Sequence, residues 1–269
     1  TIDGEAGIDV ITYKSIGSAV TVNLGANSAT GWGGADSITG IENIIGPDVA
    51  SNLSGDGAAN SIVGGSANDT IEGGAGSDTI DGGSGDDLVL GGSGADSLIG
   101  GIGTNTLSYS DASTAVSINL SSGTANGGAF GNDTFTGFIN VIGSSAGDSI
   151  TGDGNNNSIS AGAGADTIEV GAGADTINAG GGADLIEGSI SGSSIVGGDG
   201  VDVIKYNGGS VTVNLGLGSA SSGVGTDVLR EIENIIGPNS ASILTGDSGG
   251  NSILGGAGDD IVAGGGGSN

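Results

Sequence analysis

Over two long stretches an aliphatic residue returns at every ninth position, with small or polar residues filling most of the interval. Counted in nines from Gly46, the eighth position is Leu53, Ile62, Ile71, Ile80, Val89, Leu98 and Leu107. Counted from Gly143, it is Ile150, Ile159, Ile168, Ile177, Ile186, Ile195 and Ile204. A third run starts at Gly237. Mostly β-branched residues at a fixed interval predict short parallel strands, stacked so that equal positions bury one continuous apolar column.

Between the runs lie three mutually similar inserts, opening on Tyr13, Tyr109 and Tyr206. Each carries an alternating stretch, AVTVNL (19–24), AVSINL (115–120) or SVTVNL (210–215), which reads as a half-buried strand. Each continues into GADSITGIENIIG, GNDTFTGFINVIG or GTDVLREIENIIG, which reads as further coils, with Asp36, Asp133 and Asp227 in a G-x-D-x-U context, U being aliphatic. The inserts are therefore expected to continue the solenoid. Residues 1–269 then form one continuous domain, with super-repeats at 13–108, 109–205 and 206–269, the last running on into 1–12 of a next copy.

Composition supports a thin fold. With 63 glycines against 3 Phe, 3 Tyr and 1 Trp, the chain lacks the bulk for a thick core. The formal charge of −28 sets 31 acidic residues against Lys14, Lys205 and Arg230, so the chain repels itself unless cations bind, and nucleic acid is excluded as a partner. High charge and high glycine would favour disorder, but the fixed aliphatic position overrules that reading. There is no Cys to staple the fold and no His, which leaves zinc and iron sites without their usual ligands. No apolar run approaches the roughly 20 residues that a membrane span needs.

The purest units are GGAGSDTID (73–81), GGSGDDLVL (82–90) and GGSGADSLI (91–99). They follow the formula G-G-x-G-x-D-x-U-x, and on it the chain resembles the calcium-binding nonapeptide repeat of RTX (repeats-in-toxin) proteins. Glycines at positions 1, 2 and 4 permit the strained angles of a tight turn that points carbonyls inward, and Asp at position 6 adds a carboxylate. Calcium prefers six to eight oxygen ligands, which such a loop offers. The candidate ligands are Asp9, Asp69, Asp78, Asp87, Asp96, Asp148, Asp166, Asp175, Asp184, Asp202 and Asp260, together with Asp36, Asp133 and Asp227 of the inserts. The resemblance implies a parallel β-helix or β-roll of about 18 residues per coil, in which loops eighteen residues apart share an ion. It thereby pairs Asp69 with Asp87, Asp78 with Asp96, Asp148 with Asp166, Asp166 with Asp184, and Asp184 with Asp202.

Position 6 is neutral at Ser51, Asn60, Asn105, Asn157, Ser193, Ser242, Asn251 and Asn269, where weaker sites or none are expected. A second acidic set, Asp56, Asp153 and Asp247, follows a Ser/Thr-Gly step and either completes ion shells or caps a turn.

The chain ends on GGGGSN and begins with TID, which joined make one further unit, GGGGSNTID. The tyrosines lie 96 and 97 residues apart, and 76 around the joined ends. The expectation is one period of something longer, either a tandem repeat or a subunit docking head to tail, with Asp260 meeting Asp9 of the next copy. A segment cut at a repeat boundary from a longer parent is the alternative.

Without His or Cys there is no catalytic triad or thiol, and the carboxylates fall on the calcium formula, so no enzyme activity is expected. Paired carboxylates for glycoside hydrolysis lack aromatics for sugar stacking, and the G-x-G patterns lack the Lys-Ser/Thr of a phosphate loop. An ice-binding face would need a Thr rank at the outward position 3, which instead holds Ser66, Ala75, Ser84, Ser93, Ala163 and Ala172. The expected function is a secreted, calcium-bound structural repeat of an extracellular filament, surface layer or adhesin stalk, with further copies of itself as partners. The alternative is the export and folding module of a larger secreted toxin or hydrolase. Trp32, Phe130, Phe135 and Phe138 are the candidate lateral contacts.

Overall fold

Glycine-rich turns cut the chain into strands of two to seven residues, and the aliphatic position of most strands away from the two ends falls inside the coil. A computed structural model of the chain describes residues 1–31 and 33–268, and of Ala129 the backbone alone. The fold is nearly all-β, with short 3-10 turns at Gly128–Phe130 and Leu215–Leu217 and long ladders of parallel strands, as in a β-roll solenoid. The chain divides into two compact units, one of residues 1–112 and 123–140, the other of 113–122 and 141–269.

In the first unit, one ladder runs through Val10–Thr12, Asn43–Ile45, Ser61–Gly65, Thr79–Gly83, Ser97–Ile99 and Asn132–Thr136. Its register sets Ile44 on Ile62, Ile62 on Ile80, Ile80 on Leu98 and Leu98 on Phe135. A second ladder stacks Leu53, Ile71, Val89 and Leu107. The shift from Ile62 to Ile80, or from Leu53 to Ile71, is one coil of eighteen residues. In the second unit, Ile118, Ile150, Ile168, Ile186, Ile204 and Ile235 form one column and Ile159, Ile177, Ile195 and Leu229 another. These rungs are almost wholly removed from solvent, and each contributes about 1.5–3 kcal/mol relative to an exposed side chain.

The inserts add a feature that the alternating stretches did not predict. Thr21–Asn23, Ser28–Gly31 and Gly34–Thr39 form an antiparallel meander. Its outer strands take the places of ordinary rungs, Thr21–Asn23 beside Asn52–Ser54 and Gly34–Thr39 beside Ile2–Asp3. Thr212–Asn214, Ser219–Ser221 and Thr226–Arg230 repeat the arrangement in the second unit. The extra strand inserts without opening the core because its central residue is small: Ala29 and Ala220 are both buried.

Backbones of successive coils approach too closely for side chains at the turn glycines. A Cβ at Gly76, where φ is 116°, would lie 2.7 Å from the Ala58 carbonyl of the coil below. At Gly73 it would strike the Gly91 carbonyl and lie 2.5 Å from the Asp78 carboxylate.

Phe135 and Phe138 are local core rather than lateral contacts; they are buried edge to face, with ring centroids 6.0 Å apart. Phe130 is half-buried and meets Tyr109 edge to face at 6.4 Å. Trp32, the remaining candidate for a lateral contact, lies outside the described residues, as does Asn269.

Candidate metal centre

Each position-6 Asp directly precedes the strand that carries its aliphatic rung, so the stacking of rungs also stacks the carboxylates. One oxygen is used by the fold. Oδ1 of Asp69, Asp78, Asp87 and Asp96 accepts the backbone N–H of the residue eighteen earlier, Ser51, Asn60, Asp69 and Asp78, at 2.7–2.8 Å. In the second unit Asp166, Asp184 and Asp202 accept from Asp148, Asp166 and Asp184, and Asp175 accepts from Asn157.

The other oxygen has no protein partner. Oδ2 of Asp9, Asp69, Asp78, Asp87, Asp96, Asp166, Asp175, Asp184 and Asp202 is buried without a hydrogen bond. A buried, unsatisfied charge is costly unless a cation or a proton meets it. The carboxyls respond accordingly: burial pushes those of Asp69, Asp78 and Asp166 up to about 6, against the lowering effect of the backbone N–H each accepts. Asp87, Asp96, Asp175, Asp184 and Asp202 are raised for the same first reason, and at Asp202 repulsion from Asp184, Glu233 and Glu231 adds to it.

Units that depart from the formula close without a cation. Ser51 Oγ accepts the Val20 N–H and donates to the Val49 carbonyl, and Ser242 does the same with Val211 and Ser240. Asn60 Oδ1 accepts the Asp56 N–H while its Nδ2 donates to the Glu42 carbonyl, a pattern repeated by Asn251 with Asp247 and Glu233. The amide thus supplies the hydrogen that an aspartate lacks. Asp56, Asp153 and Asp247 close their own turns, accepting from the N–H two residues on at Ala58, Asn155 and Gly249. Turn capping is therefore the role visible for that acidic set.

Four expected ligands stand apart. Asp133 Oδ1 accepts the Asp96 N–H, and its Oδ2 accepts the buried Tyr109 hydroxyl at 2.7 Å. Asp227 accepts from Ser191, Gly192 and Ser193 N–H groups and from the Tyr206 hydroxyl at 3.1 Å. A tyrosine proton fills the place that a cation would take, and the desolvated phenols are pushed up accordingly, with their neighbouring carboxylates adding to the shift. The third such residue, Asp36, is half-exposed. Asp148 is satisfied within its own turn, because Ser144 replaces the second glycine and donates both its N–H and its hydroxyl. These four carboxylates do not share the orphaned geometry: Asp133, Asp148 and Asp227 are hydrogen-bonded through both oxygens and Asp36 is half-exposed. Asp260 lies at the last coil of the second unit, where its Oδ1 accepts the Ser242 N–H.

The model of the RTX calcium-binding nonapeptide repeat, built on four copies, matches residues 54–89, 73–107, 142–177, 161–190 and 239–269. The chain belongs to the RTX repeat family. No curated protein matches it.

RTX nonapeptides bind calcium, and the residues here fit that ion. Calcium supplies a hard positive centre to oxygen ligands. Among the described residues no three acidic side chains cluster, so each ion would draw most of its ligands from the carbonyls that the glycine turns point inward. Asp78 Oδ2 and the Gly91 carbonyl already converge over Gly73. The chain's own contribution at Asp69, Asp78, Asp87, Asp96, Asp166, Asp175, Asp184 and Asp202 is to hold one Oδ2 desolvated and pinned through Oδ1, where an ion can bridge successive coils.

Proposed function

We propose that this chain is a calcium-rigidified structural repeat of an extracellular filament, surface layer or adhesin stalk. The observation that carries the calcium-dependent part is that the orphaned buried carboxylate oxygens fall on formula aspartates, while Asn60, Asn251, Ser51 and Ser242 satisfy themselves. Two clefts of about 390 Å³ in the second unit are lined by residues such as Ser210, Val211, Ser222 and Gly223, with no titratable side chain. Among the described residues no helix is long and apolar enough to cross a membrane.

Further copies of the same repeat are the proposed partners, continuing the ladders head to tail, covalently or by docking. Two features support this. The first coil of the first unit exposes Ile8 and Val10, and the last coil of the second exposes Leu254, Ile261 and Val262. Exposed apolar strand edges of this kind favour addition of another strand. In such an array Asp260 would face Asp9 of the next copy.

Sedimentation of the chain in millimolar calcium tests the docking form. Concentration-dependent end-to-end oligomers that disappear in Val262→Asp are expected. A monomer at all concentrations would restrict the array to covalent tandem repeats.

A further inference from the structure

Two glutamates outside the nonapeptide formula stand where a position-6 Asp would continue the ladder. Glu233 Oε2 accepts the Asp202 N–H at 2.8 Å, and Glu42 Oε2 accepts the Asp9 N–H at 2.7 Å. They occupy corresponding places in the third and first inserts, in EIENIIG and GIENIIG, whereas the second insert has Ile139 there, in GFINVIG. The position-6 residue changes with it. It is Asp9 and Asp202 beside the glutamates but Asn105 beside Ile139.

The geometry explains why the two changes travel together. Over Gly197, the Glu231 carbonyl and Asp202 Oδ2 converge, the latter 2.7 Å from where a Cβ would stand. Over Gly100, the equivalent carbonyl is that of Gly137 and the equivalent atom is Asn105 Nδ2, at 2.9 Å. In the middle copy this nitrogen donates to the carbonyl at 2.9 Å. In the third copy an oxygen faces an oxygen with no hydrogen between them, on a wholly buried Asp202 whose Oδ2 has no partner. In the first copy the Gly40 carbonyl likewise lies against Gly4, with the Asp9 Cβ beside it, and Asp9 Oδ2 is sheltered and unpartnered.

We propose that Asp202 with Glu233, and Asp9 with Glu42, each hold a calcium ion for which the glutamate is a ligand from outside the nonapeptide formula, and that Asn105 with Ile139 is the same position closed by an amide instead. Main-chain carbonyls, including those of Glu231 and Gly40, complete the oxygen set. A divalent cation fits this site because Asp202 Oδ2 is buried without a donor near a main-chain carbonyl, with the Glu233 carboxylate held close by on the Asp202 N–H. The assignment rests on the calcium reading above and extends it from the repeats to the insert junctions.

Glu→Gln separates this role from a purely structural one, because the amide oxygen still accepts the Asp N–H while the charge is lost. Calcium bound per full-length chain is measured by equilibrium dialysis for the wild type, Glu233→Gln and Glu42→Gln, with circular dichroism in saturating calcium as the check on folding. Each variant is expected to keep the wild-type spectrum and to weaken one site about tenfold or more. Wild-type number and affinity in both variants would overturn the assignment while leaving the repeat sites standing; a wild-type chain that took up no calcium would remove the reading beneath it. Should Glu233→Gln lose its β signal, Asn105→Asp with Ile139→Glu decides, since one added ion supports the assignment and an unchanged count overturns it.

Discussion

Removing calcium is expected to unfold the chain at neutral pH. The carboxylates of Asp69, Asp78, Asp87, Asp96, Asp166, Asp175, Asp184 and Asp202 lie in stacked turns, each desolvated and each with an oxygen that no protein group meets. Against that repulsion stands a slender core whose rungs are single aliphatic side chains, so ion binding supplies much of the free energy of folding. Circular dichroism at pH 7 should show β structure in millimolar calcium and its loss in excess chelator. Acid should partly replace the ion. Burial raises Asp69, Asp78 and Asp166 from 3.8 to about 6 in the folded chain, so protonation favours folding there. This contribution is complete below about pH 3.8 and is lost as pH rises through about 6. The metal-free chain should therefore regain β signal on acidification from pH 7 to pH 4, and calcium affinity should fall over the same interval as protons compete. Equal spectra with and without chelator at pH 7 would contradict this.

Gly76→Val should strongly destabilise the turn that carries it. The φ of 116° is strained for any β-branched residue, and the added carbon would meet the Ala58 carbonyl and the Ala59 N–H group, both backbone, which cannot swing aside. Strain and overpacking together cost about 3 kcal/mol or more, and the distortion falls on the turn that positions Asp78. The neighbouring Ser77→Val tests the argument, since Ser77 is exposed at position 5 of the same turn. Denaturant unfolding in saturating calcium should find Gly76→Val strongly destabilised and Ser77→Val within about 0.5 kcal/mol of the wild type. Similar losses for both would show that close stacking at Gly76 is not what the fold requires.

The repeated part of the fold was legible because its physics is local and periodic: Ile62, Ile80 and Leu98 advertise their burial by spacing alone. The inserts were harder to read. Ser28–Gly31 and Ser219–Ser221 carry one buried alanine each, too little contrast for an alternation signal, and their strand character comes from neighbours already in the ladder. The candidate site was readable as a list of aspartates but not as their partnering. Whether a G-x-D carboxylate is orphaned depends on Tyr109 reaching Asp133, Tyr206 reaching Asp227, or Ser144 standing in for a glycine beside Asp148. The first two contacts join residues more than twenty positions apart, but the third was visible in the unit GSSAGDSIT, which lacks the second and fourth glycines. Glu42 and Glu233 were missed because they lie outside the formula; their shared place in IENIIG, lost in FINVIG together with the Asp-to-Asn change, was the available signal.

The central claim is that calcium meets the unpartnered oxygen of the formula aspartates and passes over the carboxylates already satisfied. Crystals grown in millimolar calcium and measured for anomalous scattering test it directly. The predicted result is density about 2.3–2.6 Å from Oδ2 of Asp69, Asp78, Asp87, Asp96, Asp166 and Asp184, and none at the Tyr109–Asp133 and Tyr206–Asp227 pairs. Ions at those tyrosine-held pairs, or no ion against the orphaned oxygens, would contradict it.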